Sequence, residues 1–384
     1  MKKIIVGIIG TGFVGPFHIE SLRRLGFVNI KALADVDEET AQQKAEQLSV
    51  PAHYGDYKDM LRDDEIEAVH VCTPNFLHYS MVKDALNAGK HVLCEKPLTI
   101  TSEESRELVE LANEKGLANA VGFNLRFYPM LQQIKVMIAN GELGEIFSVS
   151  GSYQQEWLLY QTDYNWRVDA KKGGAARAMA DIGSHWMDTA EYITGLNIKA
   201  VCADFGTFYK TRKKPLKPIA TYSGKLIQNT DYEEVNIDTE DYASVLLHFD
   251  NNAHGSFTVN QAAAGRKNRL YFEIYGSKQS VSWSSEQPNE FWIGSRNTTN
   301  QVFLKDPALM DKSALKYMDY PGGHNEGYPD TLKQSFLQFY KSIYENSYKD
   351  NKELPYANFG RGKKIIEIVE KIYNSSKSMA WENI

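Results

Sequence analysis

The stretch Ile4-Ile5-Val6-Gly7-Ile8-Ile9-Gly10-Thr11-Gly12-Phe13-Val14-Gly15 decides the fold. An apolar run leads straight into Gly-x-Gly-x-x-Gly, and an amphipathic stretch, Gly15–Leu25, follows. The first glycine permits a tight turn, the second lets backbone approach a pyrophosphate, and the third lets helix pack on strand. The helix N-terminus then presents N–H groups and partial positive charge to phosphates. Alone, such a glycine pattern is a weak signal. Here a strand precedes it, a helix follows, and an acid, Asp35, ends the next apolar run, which is the context a dinucleotide pocket requires.

Residues Gly10, Thr11, Gly12, Phe13, Val14 and Gly15 are therefore expected to line the cofactor, with Asp35 on its ribose. A carboxylate there accepts from both ribose hydroxyls and repels a 2′-phosphate. No Arg or Lys follows it in Asp35-Val36-Asp37-Glu38-Glu39, so the expected cofactor is NAD rather than NADP. Helix capping, the competing role for Asp35, suits Asp37 better.

Outward from this core the same grammar continues. Apolar runs at Ile30–Ala34, Ala68–Cys72, His91–Cys94 and Ala118–Gly122 alternate with helical patterns at Glu38–Leu48, Leu77–Ala88 and Ser102–Lys115. Strands apolar throughout and separated by helices predict a parallel sheet covered on both faces. Ser102, with Ser105 three residues on, marks a helix start, and Gly89 and Gly116 are placed as C′ residues. Ligands sit at the carboxyl ends of such strands, so the crossings Cys72-Thr73-Pro74-Asn75 and Cys94-Glu95-Lys96-Pro97 belong to the same crevice. Thr73 and Asn75 suit either the cofactor or plain turn and capping roles. Lys96 is more telling, because a lysine at a buried strand end is costly without a polar partner.

After Arg126-Phe127-Tyr128-Pro129 the pattern changes. One helix, Met130–Asn140, leads to alternating strands at Ile146–Tyr153, Tyr242–Phe249 and His254–Asn260, with a second hairpin, Leu270–Tyr275 and Ser280–Trp283, around Gly276-Ser277. Helices are expected at Ile182–Thr194, Pro329–Asn346 and Phe359–Ser375. The domain boundary falls near residue 123. The fold class is α/β: a nucleotide-binding domain (1–123), then an α/β domain (124–384) with a large open, mostly antiparallel sheet. Residues 210–240 give no element. The basic cluster Lys210-Thr211-Arg212-Lys213-Lys214 with Lys217 reads as a solvated loop.

The 384 residues carry a net charge of −6, which gives no bulk attraction for nucleic acid or an anionic membrane surface. Three cysteines, Cys72, Cys94 and Cys202, without Cys-x-x-Cys argue against a disulfide scaffold or thiolate zinc site. No apolar run spans a bilayer, and the N-terminal run enters the glycine motif without a cleavage site. A cytoplasmic protein without nucleic-acid or membrane partners is expected. His18, His53, His70, His91, His248 and His254 show no metal-ligand spacing, so no metal is expected.

Taken in order, Gly-x-Gly-x-x-Gly, Cys-Thr-Pro-Asn-x-x-His (72–78), Glu-Lys-Pro (95–97) and Asp-Ile-Gly-Ser-His (181–185) resemble the glucose–fructose oxidoreductase / inositol dehydrogenase / MocA family over nearly the whole chain. Trp166-Arg167, the 173–186 stretch and Gly323-His324-x-Glu326-Gly327-Tyr328 resemble a branch of sugar oxidoreductases that includes levoglucosan dehydrogenase. The resemblance implies a Rossmann domain and a C-terminal α/β domain whose open sheet builds a homodimer or homotetramer. It also implies a Lys-His-Asp catalytic set that maps onto Lys96, His185 and Asp181. It extends the cofactor set to Thr73, Pro74, Asn75, His78, Glu95, Lys96, Asn124, Trp166 and Arg167. Many members carry three consecutive glycines before the aspartate; here Gly173-Gly174 is followed by Ala175-Ala176-Arg177. Arg177 either lines the pocket or, as read here, points into solvent.

These residue types suit hydride transfer. Oxidising a carbinol sends a hydride to nicotinamide and a proton to a base, and histidine titrates near neutrality. Asp181 lies four residues before His185, which puts both on one helical face, although Asp181 stands at the helix start. Lys96 would favour a developing alkoxide. Asp188, three residues past His185, either fixes its imidazole tautomer or, as read here, lies on the surface. Tyr153, Trp157, Arg126, Arg167 and His324, with Lys96, Asp181 and His185, are the expected contacts of a sugar or polyol. The expected function is an NAD-dependent dehydrogenase of a secondary hydroxyl of a sugar, anhydrosugar or cyclitol. The alternatives are an NADP-linked reductase or diol dehydrogenase of the same family, which Asp35 disfavours, and a non-catalytic nucleotide-binding regulator, which has no need for Lys96, Asp181 and His185 together.

Overall fold

A computed structural model describes residues 3–216, 231–350 and 353–384. Its contacts divide the chain into two units, Met1–Asn124 with Pro329–Ile366, and Leu125–Tyr328 with Glu367–Ile384.

Unit 1 opens with β1 (Ile4–Ile9), α1 (Gly15–Arg23), β2 (Val28–Ala34), α2 (Glu38–Leu48), β3 (Ala52–Tyr54), α3 (Tyr57–Leu61), β4 (Ala68–Val71), α4 (Asn75–Asn87), β5 (His91–Cys94), α5 (Ser102–Lys115) and β6 (Asn119–Val121). All the strands pair in parallel, in the order β3-β2-β1-β4-β5-β6. This is the doubly wound order of dinucleotide-binding sheets, with its switch point between β1 and β4. Every residue of β4 is buried, as expected of a strand covered on both faces. The Asp37 carboxylate caps α2 by accepting from the Thr40 amide at 2.8 Å. At α5 the cap is Thr101, one residue before Ser102, in a reciprocal capping box with Glu104. The short β3 and α3 are additions to the sequence reading.

Unit 2 contains α6 (Pro129–Ala139), β7 (Ile146–Gln154), α7 (Ala170–Gly173), a π-helical turn (Met179–Gly183), α8 (Ser184–Thr194), β8 (Ile198–Gly206), β9 (Thr211–Pro215), β10 (Tyr232–Asn236), β11 (Tyr242–Phe249), β12 (His254–Asn260), β13 (Arg269–Gly276), β14 (Gln279–Ser284), β15 (Glu290–Ser295), β16 (Gln301–Leu304), α9 (Lys312–Leu315) and β17 (Glu382–Asn383). Nine strands form one sheet, β16-β15-β14-β13-β7-β12-β11-β8-β17, antiparallel throughout except for β7 with β12. Strand alternation sorts its faces. Ala243, Val245, Leu247 and Phe249 of β11 are buried, whereas Leu246 and His248 are exposed. On the covered face Trp186 of α8 stacks on Phe257 at 4.3 Å and Phe272 at 5.3 Å, its indole donating to the Tyr271 carbonyl. Gly151 makes room, since a Cβ there would lie 2.6 Å from the Trp186 ring nitrogen.

The basic cluster is not a solvated loop. Residues 211–215 form β9, paired with β10, and Arg212 is fully buried. Lys210 directly precedes β9, and Lys217 lies outside the described residues, as do residues 218–230 of the unassigned stretch.

Helices α10 (Tyr328–Tyr344) and α11 (Phe359–Ser378) correct the linear domain division, because residues 329–366 belong to unit 1. The reason is apolar packing: Phe336 and Tyr340 of α10 lie fully buried against His18 and His70.

Candidate active site

In unit 1 the glycine loop fits a pyrophosphate. Gly10 sits at φ +88° and donates to the Ala34 carbonyl at 2.8 Å. A Cβ on Gly10 would lie 2.8 Å from Thr73 and one on Gly15 only 2.4 Å from the Gly10 carbonyl, whereas one on Gly12 would meet nothing within 4 Å. The first and third glycines thus close the turn against protein, and the second leaves backbone open to a ligand. No side chain caps α1, so its N-terminal dipole has no protein carboxylate or hydroxyl in the cap position.

Asp35 Oδ2 accepts from the Thr11 amide at 2.9 Å and from the Thr11 hydroxyl, and Oδ1 accepts from the Val36 amide at 2.8 Å. Thr11 is fully buried. The glycine loop therefore fixes the carboxylate at the end of β2, where it is half-buried.

The crossings after β4 and β5 are tied by His78. Its Nδ1 lies 2.8 Å from the Pro97 carbonyl and its Nε2 2.8 Å from the Thr73 carbonyl. Two carbonyl acceptors require two N–H donors, while burial pushes the imidazole pKa below its usual value; the neutral ring keeps one of the two bonds. His78 is thus a buried staple between the two loops, a correction to its expected contact with cofactor. Asn75 is the first residue of α4, and neither it nor Thr73 caps that helix, which removes the capping alternative. Glu95 directly follows β5. Its Oε2 accepts from the Lys96 amide at 3.2 Å and its Oε1 lies 2.9 Å from His18 Nε2. The Lys96–Pro97 peptide is cis. Asn124 is buried and donates to Thr331 Oγ1 at 2.7 Å, which ties it to α10.

In unit 2, Asp181 lies in the π-helical turn and His185 in the first turn of α8. The two are therefore not on one regular helix, because a π turn inserts an extra residue. Asp181 Oδ2 accepts from Gln261 Nε2 at 2.8 Å and Oδ1 lies 3.8 Å from Arg167 Nε. His185 is 7% exposed, and its ring centre stands 6.2 Å from that of Tyr153, at the end of β7. Arg167 stacks on Trp166 at 4.5 Å. Unit 2 thus brings together Asp181 with Arg167 and Trp166, and His185 with Tyr153.

Arg126 and Trp157 lie outside this grouping. Arg126 is buried, ion-paired with Asp188 and stacked 4.3 Å from the Tyr192 ring centre. Both expectations fail there: Arg126 engages its guanidinium within the core, and Asp188 is a buried counter-ion instead of a surface residue. Trp157 packs on the Leu158, Val168 and Ile237 cluster, its indole donating to Gln155 Oε1 at 2.8 Å; it is a packing residue. His324 stands on an exposed loop, 3.3 Å from the Gly322 carbonyl.

Arg177 is neither in solvent nor loosely placed. It is 2% exposed, donates to the Glu240 carbonyl at 2.7 and 3.0 Å, and pairs with Asp241. Arg212 joins the same carboxylate at 2.8 Å and donates to the carbonyls of Leu158, Tyr160 and Asp163. This cluster, together with Gln261, holds the segment around residues 158–181, and the partners of Arg177 and Arg212 have no signal in the sequence. Gln261 had one available signal: a polar residue at an inward-facing position just past β12.

Burial also pushes the Cys72 and Cys94 thiols well above their usual range, with Glu95 adding to the effect, so neither serves as a nucleophile. Among the described residues no group of three or more His, Cys, Asp or Glu could hold a metal ion, and no helix is long and apolar enough to cross a membrane.

Residues 4–123 match the model of an oxidoreductase family with an NAD-binding Rossmann fold, and residues 131–282 match the GFO/IDH/MocA C-terminal domain. Levoglucosan dehydrogenase of Pseudarthrobacter phenanthrenivorans is 30% identical over 403 residues, covering 100% of this chain and 99% of that protein. Structures of levoglucosan dehydrogenase with NADH and L-sorbose, and with NADH and levoglucosan, superpose with TM-scores of 0.88 and 0.87 at 26% identity. They cover 100% of this chain and 99% and 100% of theirs. The chain belongs to the GFO/IDH/MocA oxidoreductase family, and unit 1 carries its NAD-binding domain.

Proposed function

We propose that this member of the family is an NAD-dependent dehydrogenase oxidising a secondary hydroxyl of a sugar, anhydrosugar or cyclitol, with Lys96, Asp181 and His185 as its catalytic residues. The observation that carries the reading is the Asp181 carboxylate, held by Gln261 and Arg167 at the turn that leads into His185. Full-length similarity to levoglucosan dehydrogenase supports the substrate class.

NAD, when bound, supplies the hydride acceptor. The glycine loop and Asp35 bind and orient it through the open backbone at Gly12 and the fixed carboxylate. His185 takes the hydroxyl proton as the carbinol is oxidised, a role its near-neutral reference pKa suits. The Lys96 ammonium donates to the substrate oxygen as negative charge develops there. Asp181 accepts from a substrate hydroxyl with its orientation set by Gln261. Thr73, Pro74 and Glu95 line the cofactor side, and Tyr153, Trp166, Arg167 and His324 the polyol side. A homodimer or homotetramer would form through the outer face of the large sheet, where Phe147, Leu246, Trp292 and Val302 are exposed. The three cysteines are free, which accords with a cytoplasmic enzyme.

The test is NADH formation by the purified protein against a panel of sugars, anhydrosugars and inositols, followed by the Lys96→Ala variant. We expect kcat to fall by about 100- to 10,000-fold while NAD still binds. Turnover near the wild-type rate overturns the role of Lys96, and no turnover of any polyol overturns the substrate class.

A further inference from the structure

Unit 1 contains a chain of buried polar groups that the proposed reaction does not use. Glu95 Oε1 lies 2.9 Å from His18 Nε2, His18 Nδ1 lies 2.8 Å from His70 Nδ1, and His70 Nε2 lies 2.8 Å from the Tyr340 hydroxyl. The two histidines and Tyr340 are fully buried. They come from α1, β4 and α10, and the chain ends on the residue next to Lys96.

Hydrogen-bond chemistry fixes the direction of this chain. Two facing Nδ1 atoms share one hydrogen, so one ring donates and the other accepts. Among the described residues the Tyr340 hydroxyl has no partner other than His70, and a buried donor left unmade is costly. Tyr340 therefore donates to His70 Nε2. His70, neutral, then carries its hydrogen on Nδ1 and donates to His18. His18 accepts at Nδ1, carries its hydrogen on Nε2 and donates to a Glu95 carboxylate. Burial holds His70 well below the usual histidine pKa and Tyr340 well above the usual phenol pKa, which agrees with both being neutral.

Adding one proton breaks this order at every link. With the added proton on Oε1 of Glu95, the oxygen that faces His18, or on Nδ1 of His18 itself, Nδ1 of His18 must now donate. His70 must then move its hydrogen from Nδ1 to Nε2, and Tyr340 must turn its hydroxyl away from its only partner. We propose that His70 and Tyr340 form a tautomer-setting relay that holds His18 as a donor to an ionised Glu95, and so positions the Glu95–Lys96 strand end. His18, His70 and Tyr340 are positioning residues, acting on Lys96 through Glu95. This inference rests on the proposed role of Lys96 for its kinetic consequence, but the tautomers themselves do not depend on it.

Other titratable groups face the relay and bear on its titration. They are Cys72 just past β4, whose sulfur lies 3.3 Å from His18 Nδ1, Cys94 at the end of β5, Lys96 beyond it, and His78 on α4, which feels the Glu95 charge. Both thiols stay protonated when buried.

The experiment pairs nitrogen-15 NMR of histidine-labelled full-length protein with kinetics. The two rings are assigned from the signals lost in His18→Gln and His70→Leu. We expect His18 on Nε2–H and His70 on Nδ1–H at neutral pH, with His70 changing tautomer on acidification together with His18. A His70 ring protonated on Nε2 at neutral pH, or a His18 imidazolium there, overturns the relay.

Kinetically, His18→Leu should lower kcat by up to about 100-fold with little change in KM for NAD. His18→Gln keeps a donor toward Glu95 and should restore most of that loss. Tyr340→Phe removes the hydroxyl that resists reversal, so the acid limb of kcat should move to higher pH with its neutral plateau kept. A packing role alone would leave the acid limb in place and let Leu and Gln at position 18 behave alike; either result overturns the proposal. A protein that turns over no polyol would remove the dehydrogenase reading while leaving the tautomer result standing.

Discussion

The interiors of the two units bury polar groups in opposite ways. Unit 1 uses neutral hydrogen-bonded rings, His18, His70 and Tyr340, leading to one carboxylate at Glu95. Unit 2 uses full ion pairs: Arg126 with Asp188, and both Arg177 and Arg212 on Asp241. A buried ion pair is rigid while intact and strongly destabilising when broken, because the remaining charge has no water to return to. A neutral relay costs less to bury and can change its proton count. The cofactor-binding unit thus has an adjustable interior, while the unit that carries Asp181 and His185 has a fixed one.

Breaking the fixed interior should give the largest effect. Asp241→Leu leaves two buried guanidinium groups against one another, and we expect a loss of about 3–5 kcal/mol in the denaturant midpoint analysis. Arg126→Met should cost a similar amount, whereas Arg126→Met with Asp188→Leu should recover much of it, since well-packed apolar residues often replace a buried pair without loss. A double variant as unstable as the single one would show that the pair contributes more than mutual neutralisation.

Acid should separate the units next. Burial lowers the folded pKa of His70 and His78 below the unfolded value of about 6.5. The unfolded chain then binds more protons below that value, so unit 1 loses stability as pH falls from about 6.5 toward the folded pKa values. Asp241 is depressed by Arg177 and Arg212 against a burial penalty. Its contribution is present above the unfolded carboxylate value and is lost only as pH falls through the lower folded one, below about 4. Glu240, raised by burial, runs the other way and gains on protonation. Hydrogen exchange at pH 7 and pH 5 should therefore show protection falling in β4, α4 and α10 while β11 and α8 hold. Equal loss in both units would sink the contrast.

The contrast also marks what the sequence shows and what it hides. Elements set by local chemistry are legible to the residue: α2 from the Asp37 cap, β1 and β5 from apolar runs bounded by turns, Asp35 from its spacing to the glycine loop. The position of Lys96 is legible too, because a strand end in a parallel sheet is a ligand position. Burial of charge is not legible. Arg212 sits in a basic run that looks solvated, yet the carbonyls of Leu158, Tyr160 and Asp163, some 50 residues earlier, hold it inside. The burial of Arg177 and Asp188 is hidden for the same reason: their partners are distant in sequence. The π turn at Asp181 has no composition signal, and neither does the return of α10 to unit 1.

The smallest effect sharpens the cofactor side of the comparison. Thr11 gives Asp35 two hydrogen bonds, one from its amide and one from its hydroxyl. Thr11→Val keeps the shape, and the amide is unaffected by the side chain, so only the hydroxyl bond is lost. A hydrogen bond to a charged group is worth roughly 1.5–3 kcal/mol at most, and Asp35, half-buried, retains the Val36 amide and water. We expect NAD affinity to weaken by about tenfold or less, read by calorimetry. Asp35→Ser in the same assay should reduce the preference for NAD over NADP, because the charge that repels a 2′-phosphate is gone. If Thr11→Val weakens NAD as much as Asp35→Ser does, the carboxylate acts only through its orientation. If it has no effect while Asp35→Ser abolishes the preference, the charge alone discriminates, and the loop contributes shape without directing the carboxylate.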